Sequence, residues 1–124
     1  MMQGPSAIEN AIRKQLAALA RDQNRRFSGA EPGRPARWKP GTVGNPATKV
    51  GFSEGAAWEF IAETLEISEV RLKTIALEKP PGAAAYAMTV PLGRARVYFK
   101  VEVICENNNP ARIIGRSFHE DDPR

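Results

Sequence analysis

The sequence predicts an α+β domain, with an antiparallel sheet of three or four strands and N-terminal helices packed on one face. Three observations carry this. Apolar residues recur at helical spacing in two N-terminal segments. Three β-rich runs follow one another near the C-terminus with short polar links. The chain has 124 residues, enough for one hydrophobic core and too few for two.

Ser6 and Glu9 have capping-box spacing, and Ile8, Ile12, Leu16 and Leu19 then share a face, so a helix is expected over 6–26. Arg13, Lys14, Arg21, Arg25 and Arg26 give that helix a positive outer face and last turn, favourable at the negative end of its dipole. The next stretch, FSGAEPGRPARWKPGTVGNPATKVGF, is too rich in Pro and Gly for a regular element and reads as an extended arm. Within it Trp38 lies between Arg37 and Lys39, either to stack on a base while its neighbours hold phosphates or to pin the arm onto the domain. Ser53 as N-cap, Glu54 in the first turn, and Trp58, Ile61, Ala62 and Leu65 at i, i+3, i+4, i+7 predict a second helix over 54–66. A strand near 70–77 precedes a Pro80-Pro81-Gly82 turn. Strands over 85–90, 96–104 and 112–119 form a meander, broken at Gly93 and at Asn107-Asn108-Asn109-Pro110. The expected organisation is a basic helix and arm over 1–50 and an α+β domain over 51–124.

Composition narrows the function classes. A hydrophobic fraction of 42% and a charged fraction of 26% are those of a soluble globular chain. No apolar run approaches the roughly 20 residues that cross a bilayer, and the N-terminus lacks the pattern of a secretory signal. With one Cys and one His, no intramolecular disulfide and no Cys/His zinc cluster can form. A cytoplasmic location with no membrane partner and no cofactor is therefore expected. Charge is uneven: residues 1–50 hold nine Lys or Arg against three Asp or Glu, and residues 51–124 hold nine against eleven. A basic N-terminal half points to a polyanion, nucleic acid first, although it also suits an acidic protein or plain solubility.

In VYFKVEVI, Val97, Phe99, Val101 and Val103 share one face of a strand, and Tyr98, Lys100 and Glu102 the other. A register with Phe99 opposite Phe118 and Val103 opposite Ile114 sets Lys100 against Ser117 and Tyr98 against His119. These polar residues then form one patch on the open side of the sheet. Strict alternation leaves Arg116 on the core side, so it needs a bulge, the sheet end or a buried partner. Metal-free RNA cleavage needs a base for the ribose 2′-OH, a cation for the phosphate and an acid for the leaving 5′-oxygen. His119 suits proton transfer, Lys100 and Arg116 suit the phosphate, and Tyr98 can donate a proton or stack. The same pattern is also ordinary for a half-exposed sheet.

The paired strands VYFKVEVI and ARIIGRSFHED resemble the terminal strands of the motility quorum-sensing regulator (MqsR) toxins and, more widely, the RelE-like and barnase/EndoU/colicin ribonuclease superfold. The blocks LEKPPG, AYxM, Tyr-x-Lys and IGRSFH are similar in order and spacing to those of small bacterial and phage proteins over about residues 54–120. The resemblance implies an endoribonuclease toxin, with Tyr98, Lys100 and Ser117 matching its site residues; together with the sheet-face chemistry, the expected catalytic set is Tyr98, Lys100, Arg116, Ser117 and His119, cleaving without metal through 2′-OH attack. His119 stands where the MqsR signature has Lys. By their charge and stacking chemistry, apart from the resemblance, Lys79, Arg34, Arg37, Trp38, Lys39 and Lys49 are expected to bind RNA. An antitoxin protein is the implied partner, with the ribosome as a further one. The alternative is a non-catalytic phage or bacterial module that binds nucleic acid or protein through the same face.

Overall fold

The computed structural model describes residues 7–29, 33, 36–76, 84–107 and 109–121. Two helices, α1 (Ala7–Arg21) and α2 (Glu54–Ile67), lie on one face of a sheet built from β1 (Arg26–Ser28), β2 (Arg37–Trp38), β3 (Lys73–Ala76), β4 (Ala84–Leu92), β5 (Ala95–Glu106) and β6 (Asn109–Glu120). The order is β1-β6-β5-β4-β3, with β2 also on β6. β3 to β6 are an antiparallel meander, whereas β1 and β2 run parallel to β6. The α+β class is as expected, but the sheet has six strands and is mixed, not antiparallel with three or four. The two additional strands come from the arm. The Ser6 cap and the Pro80-Pro81-Gly82 turn lie outside the described residues.

The first helix ends at Arg21, five residues before the predicted limit, because Asp22 N–H turns back to Leu19 O at 3.1 Å and Arg25 N–H to Asp22 O at 3.0 Å. The chain then joins β6, where Ile113 N–H donates to Arg25 O at 2.9 Å and Gly29 N–H to Gly115 O at 3.1 Å. Leu16, Ala17, Leu19 and Ala20 are buried in the common core, but Ile8, assigned to the apolar face, is 75% exposed. Arg13 corrects the expectation of a uniformly solvated basic face, being 4% exposed. Its Nε donates to Glu9 Oε2 at 3.1 Å, and its guanidinium donates to the carbonyls of Leu65, Ser68 and Val70. Arg13 therefore caps the C-terminal end of α2, where helix carbonyls lack partners and the dipole favours a cation.

At its other end α2 starts as expected, with Ser53 Oγ accepting from Ala56 N–H at 3.2 Å. It buries Ala57, Trp58, Ile61, Ala62 and Leu65 against Val97, Phe99, Val101, Ile113 and Phe118 of the sheet. An aromatic group fills one end of this core: Phe52 stands 5.3 Å from Phe118, Phe60 5.9 Å from Phe118, and Trp38 5.0 Å from Trp58 between ring centroids. The β4–β5 and β5–β6 connections use left-handed residues, Gly93 with φ 61° and Asn107 with φ 52°. Among the described residues no helix is long and apolar enough to cross a membrane.

Gly115 marks where the Trp38 ring lies flat on β6. A methyl group there would overlap the ring, and the ring cannot yield because Trp58 and Phe118 hold it. Gly115→Ala is expected to lower unfolding stability by about 1–3 kcal/mol, read from the midpoint of a urea transition. A midpoint equal to that of the wild type would show that Trp38 is loosely seated.

Candidate functional site

The face of the sheet away from the helices is assembled by two strands and a bulge. On β5, alternation sends Tyr98, Lys100 and Glu102 away from the core. On β6, His119 pairs with Tyr98 and Ser117 with Lys100, as the expected register requires. The register then shifts: Val101 pairs with Gly115, so Arg116 is the additional residue of a β-bulge, and Val103 meets Ile113 instead of Ile114. The bulge swings Arg116 out of the core slot that alternation assigned to it. Its guanidinium meets Glu102, Nε at 3.2 Å from Oε1 and Nη2 at 3.3 Å from Oε2, while Nη1 donates to Gly29 O at 3.2 Å. Arg116 thus ties the end of β1 to the sheet, and its charge is matched by Glu102, a partner the sequence reading did not assign.

The imidazole of His119 leans on the Tyr98 ring, with centroids 5.4 Å apart and planes at 37°. Its Nδ1 lies 2.9 Å from Glu120 O. A carbonyl oxygen only accepts, so Nδ1 carries the hydrogen and the neutral ring keeps its lone pair on Nε2. The parallel strand β2 brings cations to the same place. Arg37 pairs with Ser117 and Trp38 with Phe118, and Lys39 N–H donates to Phe118 O at 2.9 Å. Period-two alternation then turns Trp38 into the core and leaves Arg37 and Lys39 on the other side. With Ala36 and His119 they line an open cleft of about 410 Å³.

Placement separates the expected site residues into groups. Tyr98, Lys100 and His119 share the face, and Arg37 and Lys39 join His119 at the cleft. Ser117 is on the same β6 segment but only 4% exposed, beneath the β2 pairing. Trp38 pins the arm: besides its ring contacts, Nε1 donates to Glu54 Oε2 at 2.9 Å, so its ring is not presented for base stacking. Lys49, with φ 64°, is exposed in the loop closed by the Gly44–Gly51 bridge and is not part of the cleft wall. Arg34 and Lys79 lie outside the described residues. One unassigned residue joins the face: Phe27 pairs in parallel with Ile114, points to the same side, and is 49% exposed. Among the described residues no three His, Cys, Asp or Glu side chains come together as a metal site.

No protein-family model matches this chain, and no curated protein or solved structure is significantly similar to it. The chemistry of the face therefore rests on its own geometry. An imidazole with a bare ring nitrogen, a phenol beside it and two cations across an open cleft suit an anionic ester whose protons must be moved.

Proposed function

We propose that this face binds RNA and cleaves it as a metal-independent endoribonuclease. The observation that carries the reading is the convergence of His119 with Arg37 and Lys39 on one cleft, with Tyr98 against the imidazole. Arg37 and Lys39 hold the scissile phosphate and offset charge on its oxygens. His119 Nε2 takes the proton of the ribose 2′-OH, the O2′–P bond forms and the P–O5′ bond breaks. The leaving oxygen receives a proton from the Tyr98 hydroxyl or the Lys100 ammonium, giving a 2′,3′-cyclic phosphate and a 5′-hydroxyl. The resemblance of the terminal strands to RelE-like and MqsR toxins supports the same reading and extends it to a toxin restrained by an antitoxin protein.

A second reading, a non-catalytic nucleic-acid-binding module, is favoured by one observation. Ser117 is buried and Arg116 is engaged by Glu102, so two of the five expected catalytic groups are committed elsewhere. Purified protein incubated with RNA in excess chelator separates the two. Cleavage is expected to persist and to leave cyclic phosphate ends. Loss of cleavage under chelation, or 5′-phosphate products, would overturn the metal-independent mechanism, and uncut RNA with and without divalent metal would leave binding alone.

A further inference from the structure

The two short parallel strands lie end to end along the outer edge of β6. Their registers, Phe27 against Ile114 and Arg37 against Ser117, set an aromatic ring and a cation beside positions three residues apart, with the bulged Arg116 between them. At ~3.3 Å per residue, less the shortening of a bulge, the separation along the edge is roughly 7–10 Å. Phe27 therefore lies in line with the cleft of Arg37, Lys39 and His119, displaced from it along the edge. Of the strongly exposed large hydrophobic residues among those described, Ile8, Phe27, Val50 and Ile67, only Phe27 belongs to the sheet. On the same face Arg112 and Arg116 flank Ile114, their charges matched by Glu106 and Glu102, so among the described residues the unmatched cations of the line are those of the cleft.

From this arrangement we infer that Phe27 is a stacking platform for a nucleobase, and that the ligand is single-stranded RNA running along the β1/β2 edge with its phosphates at Arg37 and Lys39. The inference rests on the RNA reading of the cleft and deepens it. A lone exposed aromatic in line with cations is how sequence-tolerant single-strand sites are built, the ring taking any base by its π-face and the cations following the backbone. A protein partner would call for a broader contiguous apolar patch than one ring beside half-buried Ile114. The ligand is single-stranded because a duplex keeps its bases stacked on one another and away from a protein ring.

The test uses fluorescein-labelled 2′-O-methyl octa-adenylate, which lacks the attacking hydroxyl and so reports binding without cleavage, beside the same backbone without bases. Phe27→Leu keeps apolar contact with Ile114 and removes the π-face. It is expected to weaken octa-adenylate binding about 10-fold or more, to leave binding of the abasic strand unchanged, and to leave the salt dependence of affinity unchanged. Arg37→Ala is expected to weaken both probes and to lower the salt slope by about one. If Phe27→Leu binds octa-adenylate within about twofold of wild type while Arg37→Ala weakens it, stacking is refuted and the cleft reading stands. Equal weakening of both probes by Phe27→Leu means a structural role and also refutes it. No salt-sensitive binding of either probe by the wild type removes the RNA reading, and the stacking platform with it.

Discussion

On the proposed mechanism, His119→Ala is expected to slow RNA cleavage by on the order of 100-fold or more, because it removes the only imidazole of the chain, the group proposed to accept the 2′-OH proton. Lys100→Ala is expected to lower the rate by a comparable factor, through loss of charge stabilisation or of the proton for the leaving oxygen. Both residues are only partly buried and lie on the side of the sheet away from the helices, so neither truncation opens a core cavity. Stability should shift by about 0.5 kcal/mol or less. Single-turnover cleavage and thermal melts on the same preparations check both statements. Near-wild-type rates in both variants would remove the catalytic assignment and favour the binding module. A large fall in melting temperature would mean that these side chains support the fold.

The largest effect on stability is expected at Arg13. Arg13→Met keeps most of the aliphatic volume and deletes the guanidinium, leaving the carbonyls of Leu65, Ser68 and Val70 without their donor and Glu9 without one of its partners. Breaking a buried pair in this way costs about 3–5 kcal/mol, measurable by urea unfolding at neutral pH. Burial pushes the Glu9 carboxyl up, but hydrogen bonds from Arg71, Leu72 N–H and Arg13, together with the Arg13 charge, outweigh it and hold the group below the ordinary glutamate value. A carboxyl lowered in the folded state binds its proton more readily when unfolded. Its stabilising contribution is therefore complete above the ordinary glutamate range and is lost as pH falls through the lowered value. Wild type should lose stability across that acidic range more steeply than Glu9→Gln. Parallel pH profiles would show that this network is not a source of acid sensitivity.

What was legible in the sequence followed from periodicity. The alternation of Val97 to Val103 gave β5 its two faces, and Ser53 with the apolar spacing behind it gave α2 its start. Arg116 broke the alternation, and the bulge resolves it. The bulge also explains why the register held at Phe118 and slipped at Ile113, since one inserted residue displaces every pairing beyond it. The strands β1 and β2 were illegible because they have three and two residues and are held by backbone bonds to a distant partner, which leaves no side-chain period to read. Arg13 was misplaced for a related reason. A buried ion pair at i, i+4 has the same sequence signature as an exposed one.

The two strands of the arm also occupy the outer edge of β6. Without β1 and β2 the outer edge of β6, twelve residues long, would present an unbroken row of unpaired backbone groups. Long bare edges of that kind recruit strands from neighbouring chains. A chain shortened to begin after residue 50 would lose these two clasps and also Leu16, Ala17, Leu19, Ala20 and Val43 from the core. Such a fragment is expected to behave as a seed for self-association and not as a minimal nuclease. The Pro- and Gly-rich arm thus covers the β6 edge against strand addition, and the same clasp that seals the edge delivers Arg37 and Lys39 to the cleft.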